Sequence, residues 1–204
     1  MRSDLPISAL TRLAATLESG EGNWVVGGST GLVLRGALLD RAPRDIDIYV
    51  DAKFVPVIHG LLSPFALDKP ADSRTERYHS TLSHYELDGI VIELVGQFRV
   101  SALRSSYLTE VSSFLFPCGD KYEVEGRRIP VVPLGHELLF NLLRERRDRV
   151  EAVGRLIAAD PAKHLPILRA LIKRNRLAET FLTEVSKIAA FSLSKSETGR
   201  MEPT

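Results

Sequence analysis

The sequence predicts an α+β fold in which a mixed β-sheet is packed by helices and followed by a C-terminal helical segment. Three observations carry that expectation. Trp24-Val25-Val26 is a short apolar run, followed by Gly27-Gly28-Ser29 and then by apolar residues at helical spacing. Two strand-like runs, Tyr85-Glu86-Leu87 and Ile90 to Val95, flank Asp88-Gly89, a strong hairpin signal. From Pro133 onward the apolar pattern turns helical.

The elements follow in order. Leu10, Leu13, Ala14 and Leu17 form one stripe of a leading helix from Leu5 to Leu17, and Gly20-Glu21-Gly22-Asn23 ends it. Trp24 to Val26 is a buried strand. The next helix carries Leu32, Val33, Leu34, Ala37 and Leu38, with the Ser29 hydroxyl as its cap. Asp45 to Ile48 alternates as a strand does. Asp51 can cap a helix running through Leu62, with Pro56 making its start irregular. Phe65 to Asp68 reads as a strand, and Lys69 to Glu76 as an exposed polar loop. Tyr122 to Val132 is a further hairpin around Glu125-Gly126, with Pro130 pointing to an edge position.

In the helical half, Leu134, Leu138, Leu139, Leu142 and Leu143 share one stripe, which Val150, Val153, Leu156 and Ile157 continue until Asp160-Pro161 breaks it. Leu165 to Ile172 and Leu177 to Ile188 are two more amphipathic segments, and Ser192 to Thr204 is polar enough for a loose tail. The expected organisation is an α/β domain over 1–132, a helical region over 133–190 and a tail over 191–204.

The 204 residues suit one core with a helical appendage, and 44% hydrophobic content can fill it. The 27 basic and 26 acidic residues leave a net charge of +1, so no global field favours polymeric nucleic acid or a membrane surface. A small molecule or a protein is the expected partner. The single cysteine, Cys118, excludes an internal disulfide and a cysteine-rich metal site. No apolar run approaches membrane-spanning length, which makes the cytoplasm the expected location.

Side chains alternate across a strand, so Asp45 and Asp47 project from one face while Ile46 and Ile48 enter a core. Two carboxylates so close repel each other unless a cation neutralises them, and an all-oxygen site built on them favours Mg²⁺ together with substrate phosphates. At the Gly27-Gly28-Ser29 turn, glycine lets a phosphate approach the backbone, and the following helix N-terminus presents N–H groups and a positive dipole end. Tyr49 shares the parity of the Asp pair and could contact a nucleobase or simply pack. His79 and His84 are read as structural or surface residues. A dinucleotide-binding turn is the competing motif, but Gly-x-Gly-x-x-Gly is absent, and Tyr49…Lys53 falls too early for a dehydrogenase pair.

Together, Val26-Gly27-Gly28-Ser29 and Asp45-Ile46-Asp47-Ile48 resemble the nucleotidyltransferase superfamily, which includes DNA polymerase beta, aminoglycoside nucleotidyltransferases and small antitoxin-type nucleotidyltransferases. Arg41-Ala42-Pro43-Arg44 is similar to the Arg-x-Thr-Lys/Arg approach of bacterial members, with Pro43 where Thr is common. The resemblance implies a third carboxylate on a later strand. Glu93 is the only acidic residue within its apolar strand, where a lone charge is costly, whereas Asp88 suits the turn. Phe140-Asn141-Leu142-Leu143 before Arg146-Arg147-Asp148 is similar to a further family pattern, with Asn141 in place of Lys; Arg144 or Arg147 could take over its task. On the residues alone, the charged run Arg144 to Arg149 reads as a solvated helix face with i,i+4 pairing.

What the resemblance implies is metal-dependent transfer of a nucleoside monophosphate, AMP from ATP in the first instance, onto a hydroxyl of a small molecule or protein. Asp45 and Asp47 would bind the nucleotide's Mg²⁺, and Glu93 would complete a second site or act as base. Gly27, Gly28 and Ser29, with Arg41 and Arg44, would hold the phosphates. The alternative is a catalytically weak, antitoxin-like or regulatory interaction protein that keeps the fold.

Overall fold

The structure, a computed structural model, describes residues 5–189. The polar tail expected over 191–204 lies outside them. The chain divides into two compact units: residues up to 98 together with Thr109–Val132, and Arg99–Leu108 together with the residues from Pro133 on.

The first unit begins with α1 (Ile7–Leu17), which buries Ala9, Leu10, Leu13, Ala14 and Leu17, the stripe its spacing dictates. β1 (Trp24–Val26) is buried throughout and runs into α2 (Gly28–Leu34). α2 is shorter than its apolar spacing predicts. Gly36, at φ 83°, closes a Schellman motif in which Ala37 N–H donates to Leu32 O (3.0 Å) and Gly36 N–H to Val33 O (2.9 Å), so Leu38 is left 90% exposed. Ser29 does not cap the helix through its hydroxyl, because the cap position falls on Gly27 and the helix already starts at Gly28.

β2 (Asp45–Val50) is followed by a 3₁₀ turn (Ala52–Phe54) and α3 (Val55–Leu62). Pro56 sits in the first turn of α3, where its missing N–H costs nothing, so the segment starts as a tighter turn instead of one continuous helix. Asp51 caps something else: its carboxylate accepts from Val111 N (2.9 Å) and Ser112 N (3.0 Å), far along the chain. The expected strand at Phe65 to Asp68 is instead a 3₁₀ turn (Ser63–Phe65) followed by a single bridge between Ala66 and Tyr85. The expected polar loop contains β3 (Ala71–Arg74), an edge strand whose four residues are mostly exposed. Its partner supplies the backbone bonds, so it needs no apolar pattern of its own.

β4 (Tyr78–Leu87) and β5 (Ile90–Ala102) flank the Asp88-Gly89 turn, both residues at positive φ (51° and 76°), the geometry an Asp-Gly pair tolerates. A π-helical turn (Val111–Leu115) and α4 (Phe116–Cys118) lead to β7 (Asp120–Val124) and β8 (Arg127–Val131), with β6 (Ser105–Leu108) preceding them in the chain. The strand order is β3-β4-β5-β2-β1-β8-β7. β1 is antiparallel to β2, whereas β2–β5 and β1–β8 are parallel, which makes the sheet mixed. Pro130 therefore lies in β8, inside the sheet and not at its edge. It is tolerated because the β1–β8 register reaches only Val26↔Val131, so no ladder partner awaits its missing N–H. One sheet face packs against α1 and α3 through Ile46, Ile48, Ile92, Leu94, Tyr85 and Ile129.

The second unit pairs β6 antiparallel with the end of β5, through Val100↔Tyr107, and gathers α5 (Leu134–Leu143), α6 (Arg147–Ala159), α7 (Pro161–Arg174) and α8 (Glu179–Ala189). Glu145, at φ 59°, separates α5 from α6, and the Asp160 carboxylate accepts from Lys163 N (3.2 Å) to start α7. The stripe predicted to continue from Leu143 into Val150 is thus two helices. Within the charged run Arg144 to Arg149, Asp148 pairs with Arg146 at 3.3 Å and with Arg149 at 3.5 Å at the start of α6.

Candidate active site

β2 has the alternation expected of a half-buried strand: Ile46 and Ile48 are fully buried, and Asp45 and Asp47 are partly exposed on the opposite face. β5 lies beside it in parallel register, with Asp45↔Val91, Asp47↔Glu93 and Tyr49↔Val95 as Cα partners. Residues directly opposite in a ladder project to the same face, so Glu93 stands beside Asp47, on the side away from the Ile46–Ile92 core. Glu93 is partly exposed, and its strand neighbours Ile92 and Leu94 are fully buried.

Two hydrogen bonds fix the turn against these carboxylates. Gly27 N–H donates to Asp47 O (3.0 Å), extending the β1–β2 ladder by one residue. The buried Thr30 hydroxyl donates to Asp45 O (2.8 Å), pinning the first turn of α2 to the start of β2. Gly28 takes φ 61°, and a Cβ there would overlap Asp47 Oδ2. The turn needs glycine at this position for the backbone conformation and for the room the carboxylate occupies. Of the three turn residues, Gly27 has its N–H engaged by the sheet, and Gly28 and Ser29 are the first two residues of α2.

Arg41 and Arg44 are exposed on the loop that leads into β2. Tyr49, on the carboxylate face, is only 2% exposed and covers Gly27, where a Cβ would strike its ring. Next to it, Gln97 adopts φ 49°, interrupting the alternation of β5, and Phe98 packs on Tyr49 (centroids 6.3 Å apart) and edge-on to Tyr78 (5.8 Å). Thr30, Phe98 and Tyr78 were not legible as site neighbours. Positive φ at a glutamine has no sequence signature, and Thr30 acts through a backbone contact fifteen positions away.

Other candidates lie elsewhere. Asp88 sits in the β4–β5 turn and accepts from the Ser8 hydroxyl and from Arg12, tying the turn to α1. His79 pairs with Asp72 (2.7 Å) and His84 with Asp68 (2.6 Å), both on the outer strands. Burial disfavours ionised Asp68, yet the hydrogen bonds and charge of His84 outweigh it and hold its pKa below the ordinary carboxylate value. Asn141 is buried in α5, where its amide donates to Glu137 O (2.9 Å) and Glu137 Oε2 (2.8 Å), so the residue in the Lys position braces its own helix.

The donor set at Asp45, Asp47 and Glu93 is all carboxylate oxygen, the chemistry of a hard divalent cation. Among the described residues no three His, Cys, Asp or Glu side chains close into a metal cage by themselves. A magnesium site needs no such cage, because it takes one or two carboxylates and completes its shell with substrate phosphates and water.

The sequence matches the family model of aminoglycoside-2''-adenylyltransferases over residues 9–152. The chain belongs to that family. Membership makes it a nucleotidyltransferase, an enzyme class. A Thermotoga maritima protein assigned as a nucleotidyltransferase is similar to this adenylyltransferase-family chain at 27% identity and TM-score 0.58, over 74% of this chain and 91% of the other. The antibiotic-resistance factor ANT(2'')-Ia has the same fold at 11% identity and TM-score 0.51, over 82% and 91% of the two chains. A crystal structure of ANT(2'')-Ia in complex with adenylyl-2''-tobramycin matches at 10% identity and TM-score 0.51, over 82% and 97%. No curated protein matches the chain significantly. No described helix is long and apolar enough to cross a membrane.

Proposed function

We propose that this nucleotidyltransferase moves AMP from ATP onto a hydroxyl of a small molecule, with residues 1–132 carrying the chemistry and Mg²⁺ as cofactor, in the cytoplasm. The observation that carries the reading is the register Asp47↔Glu93 beside the Gly28 turn. The family match supports adenylyl transfer as the reaction, and ANT(2'')-Ia, crystallised with an adenylylated aminoglycoside, supports a small hydroxylated acceptor over a protein.

Asp45 and Asp47 would hold Mg²⁺ with the nucleotide phosphates, and Glu93 would share it or a second ion. The bound ion supplies charge neutralisation at the phosphates and an acceptor hydroxyl that ionises more easily. Glu93 takes that hydroxyl's proton onto a carboxylate oxygen, and the acceptor oxygen attacks the α-phosphorus as pyrophosphate leaves. The N–H groups at Gly28 and Ser29 stabilise the leaving pyrophosphate, fixed in place by the Gly27 and Thr30 anchors before reaction begins. Arg41 and Arg44, exposed at the entrance to β2, add positive charge for the triphosphate.

The test is pyrophosphate release from ATP with Mg²⁺ across a panel of aminoglycosides and other polyhydroxylated small molecules, with mass spectrometry for an added AMP. Adenylylated product that disappears in Asp47→Asn is the expected result. Absence of both Mg·ATP binding and pyrophosphate release with every acceptor tested overturns the reading.

A further inference from the structure

β1 and β8 are paired in register only at Val26↔Val131, reinforced by Val132 N–H donating to Val26 O (2.9 Å). Towards their N-terminal ends the two strands part, because Pro130 has no N–H with which to continue the ladder. The gap between Trp24 and residues 127–130 opens into a cleft of about 420 Å³, within the size range of small-molecule sites.

Its lining is unlike the rest of a chain that is nearly charge-neutral. Three cations, Lys121, Arg127 and Arg128, and one carboxylate, Glu18, line the cleft; along the β7–β8 hairpin Arg127 lies on the Glu18 side, while Lys121 and Arg128, the latter opposite Glu123 in the register, lie on the other. Glu18 is committed to Arg127 at 2.5 Å, and among the described residues neither Lys121 nor Arg128 forms an ion pair. The walls are aromatic: Trp24, which is 9% exposed, and Phe116, over whose ring Lys121 Nζ sits at 5.0 Å. Unpaired cations above aromatic walls recognise a ring that carries negative charge, since the ring displaces water from Trp24 and Phe116 while its anionic group meets the cations at the rim.

We propose that this cleft is a second ligand site, separate from the carboxylates of β2 and β5, and that it takes a small aromatic anion: an aromatic carboxylate or sulfonate. Trp24 is the only tryptophan of the chain, so occupancy has a built-in reporter. The probe is 8-anilinonaphthalene-1-sulfonate, titrated into the full-length protein with excitation at Trp24 and emission read from both fluorophores.

The expected result is saturable energy transfer with one site. Affinity should fall about tenfold in the Lys121→Glu/Arg128→Glu double variant, the scale of losing a charge-assisted contact. Glu18→Gln, which frees Arg127, should bind more tightly. Saturating Mg·ATP and the Asp47→Asn variant should leave the affinity unchanged, which separates this site from the proposed nucleotide site. Thermal melts confirm folding; if the double variant fails to fold, Arg128→Gln and Lys121→Gln must each weaken binding. Non-saturating transfer, equal affinity in the folded charge variants, or displacement by Mg·ATP overturns the proposal.

Discussion

Gly28 and Asp47 are in such close contact that a single added carbon on the glycine would occupy the space of the Asp47 Oδ2 atom. Gly28→Ala should therefore act twice. Holding an alanine at φ 61° costs about 1 kcal/mol, a fall of about 2–4 °C in melting temperature at this chain length, and displacing Asp47 should abolish Mg·ATP binding. Differential scanning fluorimetry and ATP titration check both parts. Undiminished ATP affinity in a folded Gly28→Ala protein would remove the cradle assignment.

Asp47→Asn should remove turnover, by about a hundredfold or more, because the ion it would help hold is worth several kcal/mol to the transition state. The same change relieves repulsion against Glu93, its register partner, so the metal-free protein should melt no lower than the wild type. Wild-type protein should melt higher when Mg²⁺ is added with ATP, and the variant should not. A destabilised Asn variant, with no Mg²⁺-dependent rise in the wild type, would mark the pair as structural.

The Asp51 carboxylate caps the turn at Val111–Leu115 with bonds of 2.9 and 3.0 Å. Asp51→Ala should cost about 1–2 kcal/mol by leaving two backbone donors without their acceptor, and Asp51→Asn, which keeps one acceptor, should cost less. Urea denaturation of the three proteins gives the order directly. Equal midpoints would show that water replaces the cap.

Much of this was legible in the chain because β2 and the hairpin of β4 and β5 obey local rules: alternation placed Asp45 and Asp47, and Asp-Gly placed the turn. What escaped was non-local. β3 is an edge strand with no apolar face, recognisable only once β4 is beside it. Asp51 looked like the cap of the next helix, yet its partners lie sixty positions on. Helix spacing ran past Leu34 because it cannot anticipate that Gly36 would close the end. Glu93 was singled out by its apolar neighbours, but its register with Asp47 is a property of the parallel ladder alone.

Asp88 gives the clearest pH dependence. The Ser8 hydroxyl and then Arg12 stabilise its ionised form, so its pKa lies below the ordinary 3.8. A carboxylate lowered on folding contributes stability that is complete above the unfolded value and is lost as pH falls through the native one. The melting temperature of the wild type should thus drop below pH 4 more steeply than that of Asp88→Asn, in which asparagine keeps the left-handed turn residue without the charge. Parallel acid limbs in the two proteins would refute the link.

The parallel pairing of β2 with β5 also has a kinetic consequence. Antiparallel neighbours such as β4 and β5 can zip from a two-residue turn, whereas Asp47 and Glu93 meet only after α3, β3 and β4 have been threaded between them. Contacts of such sequence separation close late, because loop entropy must be overcome before they form. Secondary structure should return early during refolding from denaturant, while the capacity to bind Mg·ATP lags behind it. The time at which that capacity returns would be a clock for the central parallel ladder.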